Sequence, residues 1–145
     1  MDFQSKIKNF VTSFSKDGWI LKESNGKTYA TNERRILPVE INEETVFVTY
    51  FIDVDEVFQS PVLSAYFYTE SGHRLTLDEL LKIMPEKLDM NSVSERIHPI
   101  TSIPVFFIHP CKTIEYITPI EQHGIDFMNA WIGVYGPLFL YRLPI

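Results

Sequence analysis

One cysteine, Cys111, stands in a chain of 145 residues. A single thiol cannot close an internal disulfide, and without a second one the usual cysteine-rich zinc cluster is not available. No metal and no cofactor is called for by the residue pattern. There is no basic run, and the net charge is -6, so neither nucleic acid nor an anionic membrane surface is an expected partner. No apolar stretch reaches about 18 residues, and the N-terminus is amphipathic rather than a charged start followed by an apolar signal core. Membrane insertion is therefore not expected, and a soluble cytoplasmic protein is. Internal repeats, low-complexity tracts and dividing linkers are also absent. With 45% apolar and 14% aromatic residues, residues 1–145 are expected to form a single domain around one sizeable core.

Local signals then give an order of elements. Phe3, Ile7, Phe10, Val11 and Phe14 recur at helical spacing, with Asp2 as a start cap and Gly18 beyond the end. Trp19 to Glu23 and Lys27 to Thr31 read as two strands around Asn25-Gly26, a dipeptide that tolerates the positive φ angles of a tight hairpin. Asn32, Glu33, Arg34 and Arg35 are expected to be the solvated exit from that hairpin. Thr45 to Val54 alternates, with Val46, Val48, Tyr50, Ile52 and Val54 on one face and Phe47 and Phe51 on the other, which predicts a central strand covered on both sides. Pro61 to Thr69 predicts a further strand. Thr76 with Glu79 forms a capping-box pattern opening a helix through Leu77, Leu80, Leu81 and Met84, stopped by Pro85. Glu86 to Pro99 reads as a polar loop. Thr118-Pro119-Ile120-Glu121 looks like a helix start, and Asp126 to Tyr135 reads as a core helix through Phe127, Met128, Trp131 and Ile132.

The stretch with chemical promise lies between these. Val105 to Ile108 has the composition of a short buried strand, and His109-Pro110 must end it, because proline lacks a ladder donor and holds the preceding residue extended. Cys111 therefore sits just off a strand end, with His109 two residues before it and Lys112 and Thr113 after it. An adjacent cation favours the thiolate, which is the nucleophilic form. Residues two apart in an extended segment share a side, which would bring His109 toward Cys111.

Ser102-Ile103-Pro104-Val105-Phe106-Phe107-Ile108-His109-Pro110-Cys111-Lys112-Thr113 resembles the active-site segment of the autophagy conjugating enzymes, where His-Pro-Cys follows an apolar strand. The chain is most similar to the Atg-ten family, which is related to the Atg-three enzyme. Asp17-Gly18-Trp19, Ser60-Pro61-Val62-Leu63, Arg74-Leu75-Thr76-Leu77 and Trp131-Ile132-Gly133-Val134-Tyr135-Gly136-Pro137 carry the likeness elsewhere. That resemblance implies an α+β, ubiquitin-conjugating-enzyme-like fold, a mainly antiparallel sheet with packed helices and a reduced C-terminal region. It implies that Cys111 receives the ubiquitin-like modifier Atg-twelve as a thioester from the activating enzyme Atg-seven. Transfer to a lysine of the acceptor Atg-five would follow.

Aminolysis of a thioester needs a neutral amine and donors aimed at the developing oxyanion. Ordinary ubiquitin-conjugating enzymes carry a His-Pro-Asn segment upstream of the cysteine, but here Pro104 occupies that neighbourhood. His109 ranks first as oxyanion or thiolate support and Tyr50 second; Thr113 and backbone amides beyond Pro110 are further candidates. Tyr50 has a competing reading as a core residue, and His73, His98 and His123 receive no role. The hairpin 19–31 and Asp53, Asp55 and Glu56 are candidate partner contacts, each also explained as plain surface. Two rival classes remain. A cysteine hydrolase would use Cys111 with His123, although a cysteine of that kind normally opens a helix rather than leaving a strand. A non-catalytic adaptor of the same fold would bind partners through its sheet.

Overall fold

The computed structural model describes residues 2–84 and 92–144. Helix α1 spans Phe3–Ser13, and the Asp2 carboxylate accepts from the free amides of Gln4 and Ser5 at 3.0 and 3.3 Å, the geometry of a start cap. Six strands follow, β1 Trp19–Ser24, β2 Lys27–Ile41, β3 Glu44–Asp55, β4 Ser60–Thr69, β5 Val93–Ile97 and β6 Pro104–Ile108. They form one antiparallel sheet in the order β1-β2-β3-β4-β6-β5. Helix α2, Leu77–Ile83, lies between β4 and β5 in sequence; α3, Thr113–Glu121, and α4, Phe127–Tyr135, follow β6.

Asn25 and Gly26 adopt φ of 53° and 75°, as the β1–β2 hairpin turn requires. Strand β3 is central, and its Val46, Val48, Tyr50 and Ile52 are wholly buried on the face carrying α1 and α4. On the opposite, outer face, Tyr29, Phe51, Ile100 and Val105 form a smaller core with Tyr66 and Ile103 at its margin. The 98–103 turn covers that second core. His98 is fully buried, its Nδ1 accepts from the amides of Ile100 and Thr101 at 3.3 and 3.2 Å, and its amide donates to the Ile103 carbonyl at 2.8 Å.

Three expectations need correction. The second hairpin strand does not leave the sheet at Thr31 but runs to Ile41, with register shifts between Asn32 and Arg35 and between Ile36 and Glu40. The first shift, where Arg34 has φ 54°, brings Arg35 onto the inner face that Asn32 already takes opposite Tyr50, and both donate to the Asp17 carbonyl, at 2.7 and 3.1 Å respectively. Only Glu33 and Arg34 of that supposed solvated exit are exposed. The polar stretch 86–99 contains β5, an edge strand whose one-sided burial lets Ser94, Glu95 and Arg96 occupy a strand; Pro85 and residues 86–91 lie outside the described residues. Helix α3 starts at Thr113, five residues before the predicted point, because Pro110 and not Pro119 opens the helical path; Pro119 lies inside α3.

The capping box at α2 is present in both halves. The Glu79 amide donates to Thr76 Oγ1 at 3.2 Å, and the Thr76 amide donates to Glu79 Oε1 at 2.9 Å. At the other end of the chain, Tyr141 is buried, accepts from Trp19 Nε1 at 2.8 Å and donates to Asp17 Oδ2 at 2.5 Å. The residues after α4 are thereby fastened across the start of β1. No helix among the described residues is long and apolar enough to cross a membrane.

Candidate active site

β6 delivers the cysteine. Val105, Phe106 and Ile108 are buried, so hydrophobic burial holds the strand between β4 and β5, and the chain emerges at one defined point. His109 is extended, with φ -57° and ψ 128°, as a residue before proline must be. Pro110 then opens a single 3₁₀ turn, Pro110–Lys112, closed by the Thr113 amide donating to the Pro110 carbonyl. Cys111 lies in that turn with its free thiol exposed. It therefore both leaves a strand and precedes a helix, which removes the positional objection raised against a hydrolase.

Immediately beyond is the N-terminus of α3, and no side chain caps it. First-turn amides without intrahelical acceptors point back along the axis and carry the positive end of the helix dipole, which favours a thiolate or an oxyanion beside them. Of the backbone amides beyond Pro110 that the sequence offered as donors, that of Thr113 is already bonded to the Pro110 carbonyl. Lys112 is less available than its position suggests, since its ammonium lies 3.7 Å from the Glu115 carboxylate, both largely exposed.

His109 does not use Cys111 as a partner. Because Pro110 begins a turn, the rule that residues two apart share a side fails here. The ring sits on the outer face, edge-on to Phe107 with centroids 4.8 Å apart, and its Nε2 lies 2.9 Å from Ser94 Oγ. The His109 amide donates to the Ser92 carbonyl at 2.9 Å. Ser94 of β5 and Ser92 just before it therefore supply the two hydrogen bonds of His109, and sequence reasoning missed both because it read that stretch as loop.

Tyr50 requires a correction. Its side chain is completely buried on the inner face, its hydroxyl donates to the Phe139 carbonyl at 2.6 Å, and its ring packs 5.3 Å from Tyr141. Burial pushes the phenol far above its ordinary pKa. Tyr50 is a core residue with its donor already engaged, and it does not present a hydroxyl to Cys111.

Tyr135, at the end of α4, is also buried. Burial raises its pKa, a hydrogen-bonding interaction with Thr113 opposes that rise, and negative charge on Tyr116 or Cys111 adds to it. It was read only as part of a core helix. Thr113 itself is buried as the first residue of α3. His123 is exposed in the turn after α3, roughly 15 Å along the axis from Thr113 at about 1.5 Å per residue. The hydrolase pair is not brought together.

The proposed acidic contact surface also divides. Asp53 is buried, 3.2 Å from Arg96 Nη2 and 3.4 Å from His98 Nε2, so it is a structural anion of the outer face and not a free contact. Asp55 accepts from the Val57 and Phe58 amides at 2.9 and 2.8 Å and shapes the β3–β4 turn. Glu56 is exposed and pairs loosely with Lys27 at 3.6 Å.

Residues 2–144 match the family model of the autophagocytosis associated protein, active-site domain. A human protein named ubiquitin-like-conjugating enzyme ATG10 is 27% identical, over 70% of this chain and 52% of its own length. A protein of the same name from Arabidopsis thaliana is 24% identical, over 79% of this chain and 58% of its own. The chain thus spans about half the length of these relatives. The solution structure of KmAtg10 superposes with a TM-score of 0.55 at 19% identity, covering 95% of this chain and 92% of that one, so the expected α+β architecture of antiparallel sheet and packed helices holds. With residues 2–144 matched by that model, the chain belongs to the family of the autophagocytosis associated protein, active-site domain.

Proposed function

We propose that this chain is a conjugating transferase that carries the ubiquitin-like modifier Atg-twelve as a thioester on Cys111 and passes it to a lysine of Atg-five. The observation that carries the reading is an exposed, solitary thiol in a single turn between a buried strand and an uncapped helix N-terminus. The Cys111 thiolate attacks the carbonyl carbon of the modifier's C-terminal glycine on the activating enzyme Atg-seven, and the activating enzyme's own cysteine leaves as thiolate. One thioester replaces another, so this exchange is close to level in free energy. In the second step the acceptor amine attacks the same carbon, an amide forms, Cys111 leaves as thiolate and the amine loses its proton to solvent.

The burden of the second step is charge on the carbonyl oxygen, and donors already in place stabilise it without reorganisation. The positive end of the α3 dipole is one such group, and His109 is the side chain we assign to the same support. The protein would act in the cytoplasm as one domain.

A chase tests the transfer. The protein is charged, ATP is removed, and purified Atg-five is added. The reading expects the modifier to move from Cys111 to an acceptor lysine in a single turnover; a charged protein that discharges only to water would remove Atg-five as the acceptor. Hydrolysis of a modifier ester without any activating enzyme would support the cysteine-hydrolase class instead.

A further inference from the structure

His109 is held by three contacts. Its amide is bonded to Ser92, its Nε2 to Ser94, and its ring edge to Phe107. Phe107 is in turn covered by the Arg96 guanidinium, 4.7 Å from the ring centroid. That guanidinium is fixed by donation to Asp53 Oδ1 at 3.2 Å and to Ser64 Oγ at 3.0 Å. Asp53 and Ser64 are both buried. A histidine whose only task is to end a strand before proline needs none of these contacts beyond its backbone bond. The ring's other nitrogen, Nδ1, makes no hydrogen bond among the described residues.

Neutral imidazole has one donor nitrogen and one acceptor nitrogen, and the partner of one fixes the role of the other. Support of an oxyanion requires a donor. If Nε2 carried the proton it would donate to Ser94, and Nδ1 would offer a lone pair to a carbonyl oxygen gaining negative charge, which is repulsive. If the Ser94 hydroxyl donates to Nε2, Nδ1 carries the proton and becomes a donor.

We propose that Ser94 is a positioning residue for the chemistry at Cys111: its hydroxyl donates to His109 Nε2 and so keeps the proton on Nδ1, the nitrogen that supports the thioester carbonyl. This rests on the conjugating-enzyme reading for its function, but the contact itself is tested independently. β5 is then a working part of the site, aligned by its register with β6, in which Ser94 faces Phe107.

The test combines a spectrum with a rate. Long-range proton–nitrogen correlation spectra of the full chain report the tautomer of each histidine, and His109→Gln identifies the His109 signals. The wild type is expected to show the Nδ1–H form. Ser94→Ala shifts His109 toward the Nε2–H form and slows single-turnover discharge roughly three- to tenfold, the range expected for one hydrogen bond. Ser94→Thr, which keeps the hydroxyl, restores both. A wild type in the Nε2–H form, or a Ser94→Ala spectrum and discharge rate that match the wild type, would overturn the assignment. Failure of the wild type to charge would instead overturn the conjugating reading, while the spectrum still decides the Ser94 contact.

Discussion

Replacing Tyr141 by Phe removes one oxygen from the interior and tests how the end of the chain is held. That oxygen accepts from Trp19 Nε1 at 2.8 Å and donates to Asp17 Oδ2 at 2.5 Å. Trp19 is fully buried and Tyr141 nearly so, so the indole N–H loses its partner in a place where the phenylalanine ring offers none. Leaving a buried donor unsatisfied costs about 1–3 kcal/mol, and the charge-assisted bond to partly exposed Asp17 adds about 1 kcal/mol. The ring contacts with Trp19, Tyr50 and the Arg35 guanidinium remain, which sets the expected total at about 2–4 kcal/mol. An unfolding entropy of about 2.1 cal/mol/K per residue over 145 residues makes 1 kcal/mol worth about 3 °C, so Tm should fall by about 7–13 °C. Urea melts at constant m value measure the free energy directly. Adding Trp19→Phe on top of Tyr141→Phe should cost much less than Trp19→Phe alone costs beyond its lost volume. A loss below about 0.5 kcal/mol, or full additivity of the two changes, would refute the claim that this oxygen pins the C-terminal residues to β1.

Tyr50→Phe should destabilise by about 1–2 kcal/mol through loss of the bond to the Phe139 carbonyl, and leave charging and transfer within about twofold of wild type after correction for folded fraction. A tenfold slower transfer by folded protein would return Tyr50 to the site. The Glu79 carboxyl lies below its ordinary pKa of 4.5, chiefly because the Thr76 amide donates to it, with His73 adding to the effect. Since the folded value is the lower one, this stabilisation is complete above about 4.5 and is lost as pH falls through the folded pKa. Amide exchange in α2 should therefore accelerate in acid, and Glu79→Gln should flatten that dependence; an unchanged profile in the variant would assign the acid response elsewhere.

What the sequence revealed was what neighbouring residues decide. The Asp2 cap, the Asn25-Gly26 turn and the Thr76–Glu79 box are complete within four residues, and each is present in the fold. The strand ending at His109 was legible for the same reason, since Pro110 acts on its own neighbour. Failures came where a distant partner decides. Asn32 and Arg35 looked like surface because their acceptor, the Asp17 carbonyl, is distant in sequence, and Arg35 comes to the same face only beyond a bulge. Val93–Ile97 looked like loop because an edge strand needs few apolar residues, and that misreading hid Ser94. Asp53 looked like a free acid because Arg96 and His98, on the far side of the sheet order, are what bury it. Tyr50 was misplaced for a related reason: alternation along a strand shows which face a tyrosine takes, not that its hydroxyl is already bonded to the Phe139 carbonyl.

The most direct test of the central claim is charging of Cys111. The protein is incubated with activating enzyme, ATP and Atg-twelve, and resolved on non-reducing and reducing gels beside Cys111→Ser. An adduct that thiol reductant removes from the wild type, and that becomes a reductant-resistant ester or disappears in Cys111→Ser, is the predicted result. No adduct with an activating enzyme shown to be competent would contradict the account, and the fold would then be better read as that of a binding adaptor.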